Sequence, residues 1–476
     1  MNIRRVSQDF KRTAGKSWLV FVLLLATASR SFCLTESPNP LNSEKMNWQV
    51  GLSRRVITPK TDVWLAGYGT KRSPEGKLHD VWVKVMVLKD SRKRSRILVT
   101  TDHQGMSKTI YKRLFERVAK EFKVERADFM LTFSHNHSGP CLQDDLVDYY
   151  PSDSLQKQRV LDYTLWMEDQ VIEAVREAWH HQQPAQLFKG EGLCTFAVNR
   201  RENKEAEVPA MLESGTPLKG PVDHAVPVLA IKSPKGRLLG VLFGYACHPT
   251  TLSHNLWSGD YPGYAQAGLE KQYPGAQAMF FNTCGGDQNP LPRRTVALCE
   301  KYGKMLADAV IQQLNTTLTP VSPALTTAFA YVQLDYEEVA TREKLIPIAF
   351  GSQAIQARWA KRMVKKLDDG ETFSPFYEYP VQAWQIGREL LLIGIGGEAV
   401  VDYSLRFKKE YPGSWVSGYT NEMAAYIPSR RVWEEDGYEG GAHLDEYGRP
   451  AWRWAGDIED RIAATVKKLV EETRKP

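Results

Sequence analysis

The sequence contains few cysteines and no Cys-x-x-Cys pair. Beyond Cys33, the remaining five are widely spread along the chain, at Cys141, Cys194, Cys247, Cys284 and Cys299. An odd number of cysteines without short spacings is not typical of a disulfide framework or of a zinc site built from thiolates. One disulfide bond remains an alternative, but the sequence does not indicate which cysteines would form it.

The sequence also has only a short apolar run near its N-terminus, Trp18 to Ala26, which is too short to span a bilayer comfortably. Residues 1–16 carry five basic side chains and one acidic side chain, and small residues follow the run. This order is typical of a secretory signal peptide. We therefore predict a signal peptide over residues 1–28 and a secreted, periplasmic or cell-surface location. A retained N-terminal anchor is the alternative.

Excess positive charge is largely confined to this N-terminal segment. Removing residues 1–28 lowers the formal net charge from +6 to about +2. The remainder gives little reason to expect nucleic acid as a partner. No internal repeat or low-complexity tract is present, and 42% apolar residues with 13 tryptophans argue against a disordered chain.

The order of apolar segments predicts an α/β fold. Strand candidates at residues 96–101 and 128–133 flank an amphipathic helix at residues 107–122. Such a strand–helix–strand unit is right-handed in nearly all folds and places both strand ends on one edge of the sheet. We predict mixed β-sheets flanked by helices in a single large catalytic domain over residues 47–476, after a linker at residues 29–46.

The stretch from Ser134 to Pro140 is the strongest candidate for a functional site. It follows an apolar strand candidate and contains His135 and His137. Side chains alternate in an extended segment, so both histidines are predicted on one side, with Asn136 pointing away. Two converging imidazoles suit a metal ligand beside a second ligand or a general base. Two solvated histidines at the end of a strand are the alternative.

Two further strand candidates end in residues that commonly bind metals. His248 follows the apolar segment at residues 239–247, and Glu398 follows residues 390–395 and two glycines. Catalytic zinc usually has three protein ligands from histidine and carboxylate side chains, and α/β sheets bind ligands beyond the carboxyl ends of their strands. Together with His135, these positions favour a metal site. Singly, each is equally typical of a turn or of a buried structural residue.

The turn from Asn282 to Asp287 follows another strand candidate and has three interpretations. Cys284 could be the nucleophile of a cysteine hydrolase, which requires a nearby histidine and a lowered pKa. Alternatively, Gly285 and Gly286 could allow backbone N–H groups to bind an anion, with the hydroxyl of Thr283 nearby. The glycines could also serve only a tight turn. We expect the strand ends at His135, His248 and Thr283 to share one crevice.

The string His135-Asn136-His137-Ser138-Gly139-Pro140 resembles the signature of the neutral, non-lysosomal ceramidases, which are secreted zinc amidases that cleave the N-acyl bond of ceramide. The resemblance spans about Val50 to Ala442 and includes, in order, Ala66-Gly67-Tyr68, Asp102 with Gly105, Asn199-Arg200, Val222-Asp223, His248-Pro249, Gly259-Asp260, Tyr264-Ala265, Gly286-Asp287, Gly397-Glu398, Asn421 to Tyr426, and Tyr438-Glu439-Gly440.

The resemblance implies which residues form the site. The implied ligands of Zn²⁺ are His135, His248, Glu398 and Tyr426. The resemblance also implies that His137 lies close to the metal-bound water. In metal-assisted amide hydrolysis, His137 would then act as general base and afterwards as general acid, and Tyr426 would also stabilise the oxyanion. The residues implied to complete the catalytic and substrate-binding surface are Thr283, Arg200, Asp260 and Gly286.

Some positions depart from the family pattern. Thr283 stands where the family has an active-site serine, and Cys284 and Gly285 replace an asparagine and an aliphatic residue. The family's C-terminal immunoglobulin-like domain is not expected, because the chain ends soon after Tyr438. These departures affect the prediction of ceramide as the substrate more than the prediction of the metal site.

The predicted function is that of a secreted zinc-dependent hydrolase that cleaves an N-acyl amide bond. The alternatives are a zinc-dependent deacetylase or esterase that acts on an acylated glycan, and a non-catalytic binder of lipid or glycan. The expected partner is an acylated small molecule, lipid or glycan, with contact at a membrane surface and no nucleic acid. The sequence does not indicate an oligomeric state.

Overall fold

Two β-sheets packed face to face organise the computed structural model, which describes residues 48–441 and 443–475. The predicted α/β fold with mixed sheets flanked by helices in one domain is confirmed. The predicted signal peptide and linker lie outside the described residues, so those boundaries remain predictions. None of the helices in the described ranges has both the length and the apolar character needed to cross a membrane.

The larger sheet has nine strands within the described residues. In spatial order they are β11 (Gln277–Asn282), β9 (Leu238–Tyr245), β8 (Ala225–Lys232), β6 (Gln183–Leu193), β1 (Trp48–Val56), β3 (Trp82–Lys89), β4 (Ser95–Thr101) and β5 (Phe129–Phe133), with β13 (Thr319–Val321) also paired to β6. Only the β11–β9 and β4–β5 pairs are parallel.

The smaller sheet has the order β14 (Leu325–Asp335), β15 (Phe376–Ile386), β16 (Leu390–Ile395) and β18 (Trp415–Ser417). Three short strand pairs lie outside both sheets. They are β2 (Gly76–Lys77) with β10 (Leu256–Trp257), β7 (Ala197–Asn199) with β12 (Gln288–Pro290), and β17 (Glu398–Ala399) with β19 (Tyr426–Ile427).

Helices cover the outer faces of both sheets. In chain order they are α1 (Lys108–Phe122), α2 (Ser154–His180), α3 (Val208–Ser214), α4 (Asp260–Gln272), α5 (Val296–Leu314), α6 (Arg342–Ala349), α7 (Ala354–Asp368), α8 (Val401–Glu410), α9 (Arg430–Glu435) and α10 (Ile458–Thr473). Apolar side chains of α1, α2, α4 and α5 pack on the larger sheet, and those of α8 and α10 pack on the smaller one. The result is four layers, in the order helix, sheet, sheet, helix.

Alternation along the strands creates the two cores of the larger sheet. In β3, Val83, Val85 and Val87 face the helices, while Met86 and Leu88 face the smaller sheet. Side chains of a strand point alternately to its two faces, so a continuous apolar run is expected where both faces are covered. The apolar run of β3 is therefore explained by burial on two sides.

The predicted strand–helix–strand unit is present as β4, α1 and β5. The two strands are parallel neighbours, and α1 begins after Ser107, whose side chain accepts a hydrogen bond from the backbone N–H of Ile110. As predicted, the segments after both strands lie together, because the backbone N–H of Asn136 donates to the carbonyl of His103.

The strands at the two edges of the larger sheet, β11 and β5, also approach each other, and no local sequence pattern predicts this contact. Through the chain of paired neighbours, β4 and β5 run opposite to β9 and β11. Nevertheless, the Asn282 side chain at the end of β11 donates a 3.1 Å hydrogen bond to the carbonyl of Ser134, just beyond β5. The sheet is therefore curved so strongly that its first and last strands approach each other.

Candidate metal centre

The backbone at His135 turns both histidines of the His-x-His segment towards one point. Strand β5 ends at Phe133, and His135 has a left-handed φ of +63°. The rings of His135 and His137 lie 4.7 Å apart between centroids. Asn136 points the other way and donates to the carbonyls of Asp102 and Ser258. The predicted arrangement is confirmed, although a turn rather than an extended strand produces it.

The imidazole of His135 is oriented by a backbone carbonyl. Its Nδ1 lies 2.7 Å from the carbonyl oxygen of Gln104, which can only accept, so Nδ1 carries the hydrogen. The lone pair of a neutral His135 is then on Nε2, which points into the buried interior of the site. A hydrogen bond from the second ring nitrogen to a carbonyl is the usual way in which proteins orient a metal-binding histidine.

His248 is oriented in the same manner. Its Nδ1 lies 2.7 Å from the carbonyl oxygen of Gly285, in the glycine-rich turn after β11, and its backbone N–H donates to Gln288. Burial lowers the pKa of His248 to about 4, with the charge of Arg200 acting in the same direction. His248 is therefore neutral near pH 7, with its Nε2 lone pair available.

Glu398 completes the cluster from the short strand β17. Its Oε2 lies 2.9 Å from Nε2 of His135 and 2.9 Å from Nε2 of His248. The preceding Gly397 has φ +67°, and a Cβ there would lie 2.4 Å from the carbonyl of Ala425, so only glycine fits.

The three converging atoms fit a metal ion. With hydrogens on both Nδ1 atoms, the neutral forms of His135 and His248 direct their Nε2 lone pairs towards the carboxylate oxygen of Glu398. All three residues are at most 1% exposed, so water does not relieve this contact. A cation at their common centre satisfies all three acceptors, and two imidazoles with one carboxylate are ligands that zinc prefers. His135, His248 and Glu398 could therefore hold a metal ion.

Tyr426 lies beside this cluster. Strand β19 pairs with β17 so that Tyr426 is opposite Glu398, and the Tyr426 hydroxyl is 3.4 Å from Nε2 of His248. Arg200 donates from Nη2 to the same hydroxyl at 2.9 Å, and its Nε donates to Glu439 at 2.6 Å. The structure thus brings together Tyr426 and Arg200, which the sequence places 226 residues apart.

His137 is the remaining imidazole at the cluster. Its Nε2 lies 3.1 Å from Nε2 of His135, and burial, with the neighbouring His135 and His248, lowers the pKa of His137 well below its usual value. Gly67 packs against the ring so closely that a Cβ there would lie 2.4 Å from its Nδ1. A neutral imidazole held in this way can accept a proton.

Thr283, Asp260 and Gly286 form the second group of predicted site residues. The hydroxyl of Thr283 is buried and has no hydrogen-bond partner among the described residues. The carboxylate of Asp260 accepts from the backbone N–H groups of Leu252 and Tyr261, which orders the loop after His248. Their roles at the substrate remain predictions.

Gly286 allows the turn after β11 to contact the strand that carries Glu398. Its N–H donates to the carbonyl of Ala399 at 2.9 Å, and a Cβ at this position would lie 2.7 Å from the carbonyl of Glu398. Gly286 therefore supports the position of a candidate ligand. Its predicted substrate contact is untested.

Cys284 lacks the features of a nucleophile. The thiol is buried, and this burial raises its pKa far above the usual value. A reactive cysteine requires a lowered pKa and partial exposure. The geometry therefore disfavours a cysteine hydrolase. The five cysteines in the described part of the chain are all unpaired.

Aromatic side chains surround a small cavity at the cluster. This cavity has a volume of about 20 Å³, and its lining includes His137, Glu398 and four tyrosines, Tyr149, Tyr426, Tyr438 and Tyr447. Tyr438 also lines a neighbouring pocket of about 690 Å³, whose other walls are mostly charged or polar. Sequence analysis missed Tyr447, which donates a hydrogen bond to Glu398, because it lies in a polar turn with no recognisable pattern.

The family model for the N-terminal part of neutral/alkaline non-lysosomal ceramidases matches residues 48–305. The chain belongs to this ceramidase family. The match includes His135 and His248, whereas Glu398 and Tyr426 lie beyond it. In this family member, residues from outside the matched region therefore complete the candidate metal centre.

Two curated relatives are neutral ceramidases. The protein from Pseudomonas aeruginosa is 23% identical over 264 residues, which cover 53% of this chain and 38% of the relative. The protein from Mycobacterium tuberculosis is 22% identical over 447 residues, which cover 78% of this chain and 67% of the relative. The chain thus spans well under half of the first relative and about two thirds of the second.

Solved structures show the same fold. The crystal structure of the Pseudomonas aeruginosa neutral ceramidase matches with a TM-score of 0.66 at 19% identity, covering 89% of this chain and 75% of that chain. A ceramidase complexed with C2 also matches with a TM-score of 0.66, at 18% identity, covering 89% and 76%. These likenesses establish the ceramidase fold for this family member.

Proposed function

We propose that this ceramidase-family protein is a zinc-dependent hydrolase that cleaves N-acyl amide bonds. The observation that supports the proposal most strongly is the convergence of three buried ligand atoms from His135, His248 and Glu398, which all lie within 4.8 Å of one another. Membership of the family supports an amide of the ceramide type as the substrate class. Tyr426, 3.4 Å from His248, is the proposed fourth ligand.

The chemistry that zinc supplies in such a site is Lewis acidity towards a water and a carbonyl oxygen. His137 would accept the proton of the attacking water, because its imidazole is neutral and lines the cavity. The same ring would then return that proton to the nitrogen of the leaving amine. A single residue thus serves as base and acid in successive halves of the reaction.

Arg200 and Tyr426 would stabilise the negative charge that develops on the acyl oxygen. Arg200 donates to the Tyr426 oxygen and so holds this hydroxyl in place at the edge of the cavity. Donors that are already oriented before the reaction stabilise charge more effectively than mobile ones. The proposed role of Thr283 is a further hydroxyl contact to the substrate, in place of the serine that the family pattern has there.

His135→Ala and His248→Ala test this proposal, with zinc content and N-acyl hydrolysis measured on the same preparations. We expect both variants to lose stoichiometric zinc and most of the activity, because a catalytic zinc site usually has three protein ligands. The matched control is His224→Ala, because His224 contacts the carbonyl of Ala197 and lies outside the cluster. Full activity in both cluster variants would refute the assignment.

A deacetylase or esterase that acts on an acylated glycan is the second candidate. The charged and polar walls of the pocket beside the cluster favour a polar leaving group. Release of acetate from N-acetylated glycans without cleavage of ceramide would support this candidate. A zinc-replete protein that cleaves neither would support a non-catalytic binder of lipid or glycan instead.

The proposed location is outside the cytoplasm, as a secreted, periplasmic or cell-surface protein, with substrates taken from a membrane surface or from glycans. The basis is the N-terminal signal pattern. Fractionation of cells that express the full chain, with N-terminal sequencing of the product, tests it. We expect a mature N-terminus close to residue 29, and an uncleaved cytoplasmic product would contradict the location.

A further inference from the structure

We infer that Tyr447 is a positioning residue for Glu398, and that it determines which carboxylate oxygen faces the metal. This inference rests on the proposed function insofar as that function requires a metal at Glu398. It concerns a residue outside the ligand set, in the turn after Tyr438. The evidence is the geometry of the two oxygens of Glu398.

The two oxygens of Glu398 have different environments. Oε2 lies 2.9 Å from each of the two imidazole nitrogens, at the centre of the cluster. Oε1 accepts a hydrogen bond from the hydroxyl of Tyr447. A carboxylate can otherwise rotate about its last bond and present either oxygen, or both, to a cation. The contact with Tyr447 assigns one oxygen to the metal and holds the other away.

Tyr447 is itself held in place by the fold. Its backbone N–H and that of Arg449 both donate to the carbonyl of Leu444, which closes the turn. The guanidinium of Arg449 donates to the carbonyls of Met423 and Ala424, at 2.8 Å each. These carbonyls belong to the segment that leads into Tyr426. The turn is therefore fixed to the same short strand pair that carries Glu398.

The ring of Tyr447 is also packed against the site. It stands almost perpendicular to the ring of Tyr426, at 89° and 6.0 Å between centroids. This packing leaves the hydroxyl as the only polar contact of the side chain with Glu398. Replacement of tyrosine by phenylalanine therefore removes the hydrogen bond and retains the aromatic wall of the cavity.

A single-oxygen ligand has a consequence for catalysis. Two imidazoles, one carboxylate oxygen and a tyrosine leave a coordination position for the substrate or water, because zinc accommodates four to five ligands. If both oxygens of Glu398 were bound, that position would be occupied. Partners that orient metal ligands typically contribute 10–100-fold to metal affinity or activity.

Tyr447→Phe tests the inference, with Tyr438→Phe as the matched control. Tyr438 lines the same cavity and also packs on Tyr426, but its hydroxyl donates to Glu446 rather than to Glu398. Zinc affinity is measured by competition with a chromogenic chelator, and the visible spectrum of the Co²⁺-substituted protein reports the coordination geometry. We expect a loss of about 10–100-fold in affinity and an altered Co²⁺ spectrum for Tyr447→Phe, and less than a twofold change for Tyr438→Phe.

A double-mutant cycle with Glu398→Gln tests whether Tyr447 influences metal affinity through Glu398. If Tyr447 acts through Glu398, Tyr447→Phe has little additional effect on metal affinity in the Glu398→Gln background. Additive effects would overturn the inference, as would wild-type zinc affinity and an unchanged Co²⁺ spectrum in Tyr447→Phe. If Tyr447→Phe does not fold, Arg449→Lys, which loosens the turn while Tyr447 remains, is measured instead. An unchanged affinity and spectrum in that variant would also overturn the inference.

The outcome is separable from that of the proposed function. A wild-type protein that binds zinc but cleaves no acyl amide or ester would refute the proposed function, while the affinity measurements would still decide the role of Tyr447. A wild-type protein that binds neither Zn²⁺ nor Co²⁺ would refute both.

Discussion

Arg200 donates a 2.9 Å hydrogen bond from Nη2 to the hydroxyl of Tyr426, and its Nε donates to the carboxylate of Glu439 at 2.6 Å. A planar guanidinium can make both contacts at once, with separate nitrogens in fixed positions, whereas an ammonium group has all three of its N–H donors on one nitrogen. The orientation of the Tyr426 hydroxyl at the metal centre therefore depends on an arginine.

Arg200→Lys is expected to lower kcat/KM for an N-acyl amide by about 100-fold, because it loses the oriented donor to Tyr426. Arg201→Lys is the control, since Arg201 also contacts Glu439 but not Tyr426. Steady-state kinetics on both variants checks the prediction. Equal activity in Arg200→Lys and wild type would show that the contact with Tyr426 is dispensable.

His137→Gln is expected to reduce kcat by about 100–10,000-fold while zinc remains bound, because His137 is assigned to proton transfer rather than to coordination. The measurement combines kcat with zinc content. Loss of zinc comparable to that in His135→Ala would instead identify His137 as a ligand. An unchanged kcat would remove it from the mechanism.

Cys284→Ala is expected to leave kcat within about twofold of wild type, because the buried thiol with its raised pKa is not available as a nucleophile. The replacement leaves a small cavity, which is expected to lower the free energy of unfolding by about 1 kcal/mol. Turnover and urea unfolding are measured on the same protein. Abolished turnover with an intact fold would restore the cysteine hydrolase as a candidate.

Asp445 is expected to make stability depend on pH. Burial raises the pKa of Asp445 to about 6, above the value near 3.9 in an unfolded chain, and the negative charge of Asp148 acts in the same direction. Between about pH 4 and 6 the folded protein then binds more protons at this group than the unfolded chain does. The stabilising contribution of Asp445 to the free energy of unfolding is therefore fully present below pH 4 and is lost as the pH rises through about 6.

Urea unfolding of wild type and Asp445→Asn at pH 4.5 and pH 7 measures this contribution. We expect the variant to gain about 1–3 kcal/mol relative to wild type between these two pH values, because its side chain does not ionise. A difference between the two proteins that is independent of pH would contradict the assigned shift.

Local sequence patterns favoured a metal site near His135, His248 and Glu398, but only the family resemblance distinguished these ligands from the neighbouring His137. His135, His248 and Glu398 each follow a short apolar strand, and that pattern depends only on neighbouring residues. The family resemblance added Tyr426 and Arg200, which no local pattern connects to the cluster. The structure brings all five together.

The remaining features depend on the tertiary structure. The left-handed backbone of His135 replaces the expected extended segment, because the chain must turn at the end of β5. The curvature of the larger sheet, seen in the contact between Asn282 and Ser134, joins segments 148 residues apart that no local pattern connects. No sequence pattern indicates a role for Tyr447, because that role depends on a polar turn that Arg449 anchors to the carbonyls of residues about 25 positions earlier in the chain.

Anomalous scattering at the zinc absorption edge, recorded from crystals grown with zinc, tests the central claim most directly. The account predicts an anomalous peak within bonding distance of Nε2 of His135, Nε2 of His248 and Oε2 of Glu398, and no peak at this position in His248→Ala. A wild-type map without a peak at these three atoms would contradict the claim that this ceramidase-family member carries a zinc centre there.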